Sequence, residues 1–155
     1  MKHNPIESEI RERMEPGVLS RDGFLGEDNR DIAEIVAEDR AELEAAGLTA
    51  ADVADVVDEI HQALEGAMET EQVLFNGRVR ARLEEAMGGI PCPFGCGHKG
   101  HKGILTVQFS GRTLTLTPLH AHLIRRHGFF QGRGSAFRLE PRTAIALVRN
   151  VRAEA

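Results

Sequence analysis

Apolar side chains in the N-terminal part of the chain recur at the spacing of helix faces. The first stripe predicts a helix that begins at Asp28 or Asn29 and ends at Gly47, with apolar members Ile32, Ile35, Val36, Leu43 and Ala46. The second stripe predicts a helix that Thr49 caps. Its apolar members are Val53, Val56, Val57, Ile60, Leu64 and Met68. Because only Gly47 and Leu48 separate the two helices, they should pack as an antiparallel hairpin.

A period of two replaces the helical period near Glu71. Asn76-Gly77 stands between apolar runs, which is typical of a β-hairpin. In the following segment Val79, Ala81 and Leu83 alternate with polar residues, as a half-buried strand requires. A helix over residues 78–87 is the competing interpretation.

A second hairpin is predicted around Ser110-Gly111, because the flanking segments ILTVQF and TLTLT both alternate. A two-residue turn at this point would place Val107 opposite Leu114 and Leu105 opposite Leu116. All four apolar side chains would then share one face, so the hydrophobic pattern and the register agree.

Four shorter elements complete the pattern. Helices are expected from Pro5 to about Met14, from Thr117-Pro118 to Gly128, and from Pro141 to about Arg152, and a short strand is expected over Phe137–Leu139. The fold class is therefore α+β. The predicted division is a helical region over residues 1–70 and an α+β region over residues 71–155.

Charge separates the same two regions. The 155 residues carry a formal net charge of −5, to which residues 1–75 contribute −14 and residues 76–155 contribute +9. Such asymmetry indicates either a nucleic-acid surface on the basic part or packing of the acidic part against it. The segment GLTAADVA resembles the first helix of a DNA-reading helix-turn-helix, but the strongly acidic helices would repel phosphate. A packing or homodimerisation hairpin is the preferred interpretation.

Several classes of protein and of active site are disfavoured. The N-terminal residues MKHNPIESEIRERMEPG have no apolar stretch of the kind found in signal peptides, and no run approaches the length of a membrane span. A cytoplasmic protein is therefore expected. The chain contains no GxSxG, Walker, GxGxxG or HExxH pattern. Close cysteines in the cytoplasm more often bind metal than form a structural disulfide.

Both cysteines of the chain lie in the segment CPFGCGHKGHKG, and a histidine-rich helix follows the second hairpin. Cys92-Pro93-Phe94-Gly95-Cys96-Gly97 resembles the CPxCG knuckle of zinc ribbons and fingers, with one extra residue between the sulfurs. His122-Leu-Ile-Arg-Arg-His127 resembles the helix end of the C2H2 zinc-finger class. The resemblance covers roughly residues 90–128 and implies a zinc-finger-like ββα module. This module would follow the acidic N-terminal helical hairpin and would carry an extra β-hairpin and a C-terminal helix.

The ligand set expected from this resemblance is Cys92, Cys96, His122 and His127, which would hold a structural Zn²⁺. His122 and His127 lie about 7.5 Å apart along a helix axis, so they converge only if the last turn loosens near Gly128. The rival ligands are His98, His101 and His120. Between Cys96 and His122 lie 25 residues, about twice the usual spacing, which requires strands that run away from the metal and return.

The expected function is a zinc-stabilised binding, adaptor or regulatory protein. Its partner would be a protein or a nucleic acid, contacted through basic residues of the second half. The candidate contacts are Lys99, Lys102, Arg112, Arg125, Arg126 and Arg133. The alternative function is a metal-dependent, hydrolase-like enzyme in which Cys92, Cys96 and His127 leave one coordination position open for water.

Overall fold

The computed structural model describes residues 5–153. Within that range five helices accompany a four-stranded antiparallel sheet. The helices are α1 (Pro5–Arg13), α2 (Ile32–Ala45), α3 (Ala50–Ala63), α4 (His120–His127) and α5 (Pro141–Arg152). The strands are β1 (Gln72–Leu74), β2 (Val79–Pro91), β3 (Lys99–Phe109) and β4 (Arg112–Leu116). None of the helices in the described part of the chain has both the length and the apolar character needed to cross a membrane.

The two hairpins predicted from the sequence are both present, and they belong to one sheet. The strand order is β1-β2-β3-β4, because β2 also pairs with β3. The predicted register of the second hairpin is confirmed, with Val107 opposite Leu114 and Leu105 opposite Leu116. Ser110 and Gly111 have φ values of 47° and 73°, which are the positive angles that a tight two-residue hairpin turn needs.

Strand β2 is longer than the sequence pattern suggests, and the alternative of a helix over residues 78–87 is wrong. Val79, Ala81 and Leu83 are buried, as predicted. Beyond Glu85 the strand continues as an arm formed by residues 86–91 and 99–103. The register shifts between Glu85 and Gly89, and the extra residues form a bulge in which the Met87 side chain is 95% exposed. The arm carries both cysteines in the loop at its tip.

The predicted start of α2 is wrong. The helix begins at Ile32, and neither Asp28 nor Asn29 caps it. Instead, the carboxylate of Glu7 on α1 accepts a hydrogen bond of 2.6 Å from the backbone N–H of Ile32. Asp28 is turned toward Arg30, whose guanidinium donates to both of its carboxylate oxygens. A contact between distant segments therefore replaces the local cap that the sequence suggested.

Helix α3 begins as predicted and ends early. Thr49 and Asp52 form a capping box, in which each side chain accepts a hydrogen bond from the backbone N–H of the other residue. The helix ends at Ala63, so Met68 lies beyond it and is 90% exposed. The apolar face of α3, predicted as a packing or dimerisation surface, is buried within the chain. Homodimerisation stays a prediction.

The C-terminal elements agree with the sequence except at two points. Helix α4 begins at His120 and not at Thr117-Pro118, whose residues form the turn before it. It ends at Gly128 with a φ of 63°, the left-handed conformation predicted there. Residues 137–139 do not form a strand; Leu139 donates a backbone hydrogen bond to Phe130 and then leads into α5.

Two hydrophobic clusters hold these elements together. The larger lies between α3, α5 and one face of the sheet, and it contains Val57, Leu105 and Leu147. The smaller joins α1, the start of α2, the cysteine loop and α4, and it contains Met14 and Cys92. The smaller cluster positions the candidate site. The larger includes residues from both sides of Glu71, and the division of the chain at that point stays a prediction, as does the zinc-finger-like arrangement.

Ion pairs connect the acidic helices to the basic C-terminal part. Arg138 donates to both carboxylate oxygens of Asp39, and both side chains are 5% exposed. Arg125 pairs with Asp55 and Asp58 on α3, with both partners at the surface. Exposed pairs of this kind contribute about 0–1 kcal/mol each. Breaking a buried pair by removing one partner costs about 3–5 kcal/mol, so the contact of Arg138 with Asp39 dominates the energetics.

Candidate metal centre

The cysteine loop, residues 92–98, closes the tip of the β2–β3 arm. The backbone N–H of Cys92 donates to the carbonyl of His98 over 2.8 Å, and the N–H of Gly95 donates to the carbonyl of Cys92 over 3.1 Å. Gly95 and Gly97 have φ values of 76° and 92°, so the loop bends sharply after each half of the segment CPFGCG. The bends bring the Cys96 side chain back beside that of Cys92.

Helix α4 supplies the other two candidate ligands. One ligand atom from each of Cys92, Cys96, His122 and His127 lies within 4.8 Å of the others. The Sγ atom of Cys96 is 3.2 Å from Nε2 of His122. The four residues named from the sequence therefore form a group that could hold a metal ion.

The spacing of the donors suits a tetrahedral ion. Bond lengths of about 2.3 Å to sulfur and 2.0–2.1 Å to nitrogen place tetrahedral donors about 3.3–3.8 Å apart. The upper limit of 4.8 Å within the group leaves only a small contraction for binding. The two cysteines are free thiols and do not form a disulfide, so both sulfurs are available as ligands.

The surroundings of Cys92 favour a partner for its sulfur. The residue is 3% exposed, and burial raises the pKa of its thiol to about 11. The Cys96 thiol adds to that rise, whereas the nearby backbone N–H groups of Phe94 and Cys96 lower the pKa of the same thiol. A thiolate at this buried position is unfavourable unless an opposite charge compensates it, and a bound metal cation would supply that charge.

The two imidazoles are held in the neutral form that binds metal. Burial, followed by the charges of His98, His127 and Arg126, lowers the pKa of His122 to about 4. Burial and then Arg126 lower the pKa of His127 as well. Nε2 of His127 is buried and has no hydrogen-bond partner among residues 5–153. A buried polar atom without a partner costs about 1–3 kcal/mol, which a metal bond would offset.

Aromatic stacking fixes the orientation of both rings. Phe94 stacks on His127 with ring centroids 4.0 Å apart and planes 8° apart. His98 stacks on His122 at 3.8 Å, also with planes 8° apart. Neither contact follows from the spacing of cysteine and histidine, so the sequence reasoning missed Phe94 as a positioning residue.

Helix α1 supports the loop from outside the module predicted from the sequence. Nε of Arg13 donates a hydrogen bond of 2.7 Å to the carbonyl of Pro93. Met14, which follows α1, is fully buried in the cluster that contains Cys92. Sequence reasoning also missed Arg13, because no local signal links residues that stand 80 positions apart.

The rival histidines lie outside the group. His120 is 1% exposed, and protein groups use both of its ring nitrogens: Nδ1 accepts from the N–H of Thr117, and Nε2 lies 2.7 Å from the carbonyl of Phe137. Burial lowers its pKa to about 4. His101 is exposed on the arm opposite Gly89. His98 contacts the site through its stack on His122.

The basic residues predicted as partner contacts fall into two sets. Lys99, Lys102, Arg112 and Arg126 are exposed and have no carboxylate partner within the described residues, and Arg112 lies over the ring of Phe109. Arg125 is occupied by Asp55 and Asp58, and Arg133 lies 3.7 Å from Glu38. Packing of the acidic part against the basic part thus accounts for some of these cations and leaves others available.

Comparison of the chain with protein-family profiles, with curated proteins and with solved structures finds no match in any of the three.

Proposed function

We propose that this protein is a binding module whose loop-and-helix end is stabilised by a structural Zn²⁺. The observation that carries the proposal is the approach of two thiols and two imidazoles to within 4.8 Å of one another. Sulfur together with imidazole nitrogen in a tetrahedral set is the donor combination that structural zinc prefers.

A structural role for the ion follows from the number of protein donors. Four protein ligands complete a tetrahedral shell and leave no position for a reacting water, which a catalytic zinc requires. The metal would join the arm tip to α4, two segments that are otherwise connected through the small cluster containing Cys92. Structural zinc in small finger peptides contributes about 10–16 kcal/mol of apparent binding energy, which is available here to hold the two segments together.

The partner that we propose is a nucleic acid, contacted through its phosphates. Arg126 lies on α4 between the two histidine ligands, and Lys99 follows the cysteine loop directly. Both are exposed cations without a carboxylate partner among residues 5–153, so a phosphate would meet them without breaking an ion pair. A metal at this end would fix the spacing between them, because each belongs to a segment that supplies ligands.

Metal analysis and salt-dependent binding test the two parts of the proposal separately. The purified protein should contain about one zinc per chain, and Cys92→Ser and His127→Ala should lose it while His101→Ala, the matched control, retains it. Binding of a fluorescent RNA or DNA oligonucleotide should weaken steeply between about 50 and 200 mM salt. Arg126→Gln should reduce the slope of log affinity against log salt concentration by about one. Arg142→Gln, which changes an exposed arginine on α5, is the control and should leave that slope unchanged. Zinc without oligonucleotide binding would refute the partner and leave the metal proposal standing.

A further inference from the structure

Leu119, which belongs to the same hydrophobic cluster as Cys92, also lines a second concave site. It is a cleft of about 480 Å³ between the loop of residues 20–24, the β2–β3 arm and the segment that leads into α4. Its apolar walls include Phe24, Ile90 and Leu119. A volume between about 300 and 1,000 Å³ is typical of pockets for small molecules. We call it the Gln131 cleft.

Gln131 is the buried polar side chain among the residues that line this cleft. The residue is 2% exposed and lines the cavity. Its Oε1 accepts a hydrogen bond of 2.6 Å from Oγ of Ser135, which in turn accepts from the N–H of Phe137. This chain of donors fixes the amide so that its oxygen is used inside the protein. The amide nitrogen, which carries two N–H donors, makes none of the hydrogen bonds found among residues 5–153.

The backbone of Gln131 is held in a conformation that glutamine rarely adopts. Its φ is 75°, in the left-handed region that favours glycine. The surroundings impose this angle from both sides. The Gln131 carbonyl accepts a hydrogen bond of 2.5 Å from Arg138, which the buried pair with Asp39 holds in place. At Gly132 an added Cβ would lie 2.4 Å from the carbonyl oxygen of Leu25, so the chain packs against the cleft loop with no space to relax.

Strained backbone that the surrounding structure holds in place is found preferentially at binding and active sites. Strain of this kind costs about 1–3 kcal/mol and persists where the surrounding structure over-determines it. A glycine would adopt the same φ without strain, so the backbone alone does not explain a glutamine at this point. The side chain supplies what glycine lacks, a pair of donors at the inner end of an apolar cavity.

The rim of the cleft is charged, in contrast to its apolar walls. It carries four carboxylates and two cations; the carboxylates are Asp22, Glu69, Glu84 and Glu85, and the cations are Arg21 and Lys102. Arg82 pairs with Glu84, but the other three carboxylates make no ion pair within the described residues. The rim therefore favours a positive charge on whatever enters.

We propose that the Gln131 cleft binds a small organic cation: an apolar body with a hydrogen-bond acceptor at the inner end and a protonated amine at the outer end. The acceptor of the ligand accepts hydrogen bonds from the Gln131 amide N–H groups. The apolar body lies against Phe24 and Leu119, and the amine faces the carboxylates of the rim. None of the four possible metal ligands lines the cleft, although Lys102 of the rim is also one of the cations predicted to contact a partner.

A series of three related compounds tests each part of this ligand on the metal-loaded, full-length protein. The probe is 4-(aminomethyl)benzamide, which has a carbonyl acceptor, a ring and an amine. 4-Methylbenzylamine lacks the acceptor and 4-methylbenzamide lacks the amine. Each is titrated to about 10 mM and followed by NMR chemical shifts, since ligands of this size bind weakly. The complete probe should bind about tenfold more tightly than either truncated compound, the effect of one lost hydrogen bond or charge contact.

Variants locate the site. Gln131→Met should abolish the tenfold preference for the complete probe over 4-methylbenzylamine. Ala86→Trp places a large side chain at the rim from an exposed bulge position and should block binding, whereas Thr113→Trp, on the outer face of the sheet, should not. If Gln131→Met does not fold, the proposal is tested by comparing the affinity of the complete probe for Ala86→Trp with its affinity for Thr113→Trp. Equal affinity for all three compounds, absence of a saturable shift, or unchanged binding to Ala86→Trp would each overturn the proposal.

Discussion

Sγ of Cys96 and Nε2 of His122 lie 3.2 Å apart across 26 positions of sequence. The contact exists because β3 runs away from the cysteine loop, β4 returns, and the residue before α4 then lies beside the start of β3. Leu119, at the start of α4, lies so close to the strand that a Cβ added at Gly100 would approach its side chain to 3.1 Å. The long spacing between the cysteines and the histidines is thus taken up by a hairpin that extends away from the site.

Removal of metal should lower the stability of the whole protein. A chelator such as EDTA is expected to reduce Tm by at least about 10 °C, because a metal that binds only the folded state stabilises it by mass action. Differential scanning calorimetry with and without added zinc measures the shift. The His127→Ala variant serves as the reference, since its Tm should not respond to zinc. An unchanged Tm in the wild type would contradict a structural role for the ion.

Arg13 should influence zinc affinity although it does not contact the ion. Arg13→Met keeps the length of the side chain and removes the donor to the carbonyl of Pro93, so the cysteine loop is expected to lose its support from α1. Loss of such outer contacts typically weakens metal binding 10–100-fold. Competition with a chromophoric chelator measures the affinity. Arg142→Met, an exposed arginine on α5, should bind zinc like the wild type.

The buried ion pair of Arg138 with Asp39 should contribute far more to the stability of the protein than the exposed ion pairs do. Arg138→Met leaves Asp39 buried without its partner and should lower the free energy of unfolding by about 3–5 kcal/mol. Arg152→Met removes an exposed partner of Glu59 and should cost less than about 1 kcal/mol. Urea denaturation of the two variants gives both values. Similar losses in the two variants would refute this ranking.

Asp28 should stabilise the protein at neutral pH and cease to do so in acid. Hydrogen bonds from the Arg30 guanidinium hold the pKa of its carboxyl well below the usual range. A carboxyl with a depressed native pKa stabilises the fold above its unfolded pKa of about 3.9, and the contribution is lost as pH falls below that value. Asp28→Asn should therefore be less stable than the wild type by about 1.5–3 kcal/mol between about pH 5 and 7.

The difference in the free energy of unfolding between Asp28→Asn and the wild type should become smaller below about pH 4. Measuring the difference, and not the wild type alone, cancels the effect of the other carboxyl groups. Asp22→Asn, at an exposed position in the same loop region, is the control and should match the wild type throughout. A gap between Asp28→Asn and the wild type that stays constant down to about pH 3 would contradict the assignment.

Local patterns predicted the elements whose formation depends on neighbouring residues. The Thr49 cap of α3, the Ser110-Gly111 turn and the end of α4 at Gly128 all follow from short-range chemistry, and all are confirmed. The predicted start of α2 was wrong because the N–H of Ile32, at the first position of the helix, donates its hydrogen bond to Glu7, which belongs to another helix. No window of sequence around Ile32 contains that information.

The candidate site shows the same division. The four possible ligands could be named because sulfur and imidazole are rare and their spacing is restrictive. Arg13, the stack of Phe94 on His127 and the Gln131 cleft could not be named, because each depends on residues brought together by the whole fold. The types and spacing of residues along the sequence therefore indicate which side chains could be ligands, whereas the tertiary structure determines how those side chains are oriented.

The bond between Arg13 and Pro93 has a practical consequence for dissecting the molecule. A polypeptide cut near Glu71 would separate the cysteine loop from the helix that supports it, and would leave Arg138 without Asp39. Fragments designed to isolate the basic half should therefore fold poorly by themselves and recover order when the acidic half is supplied in trans, so that studies of either surface are best carried out on the uncut polypeptide.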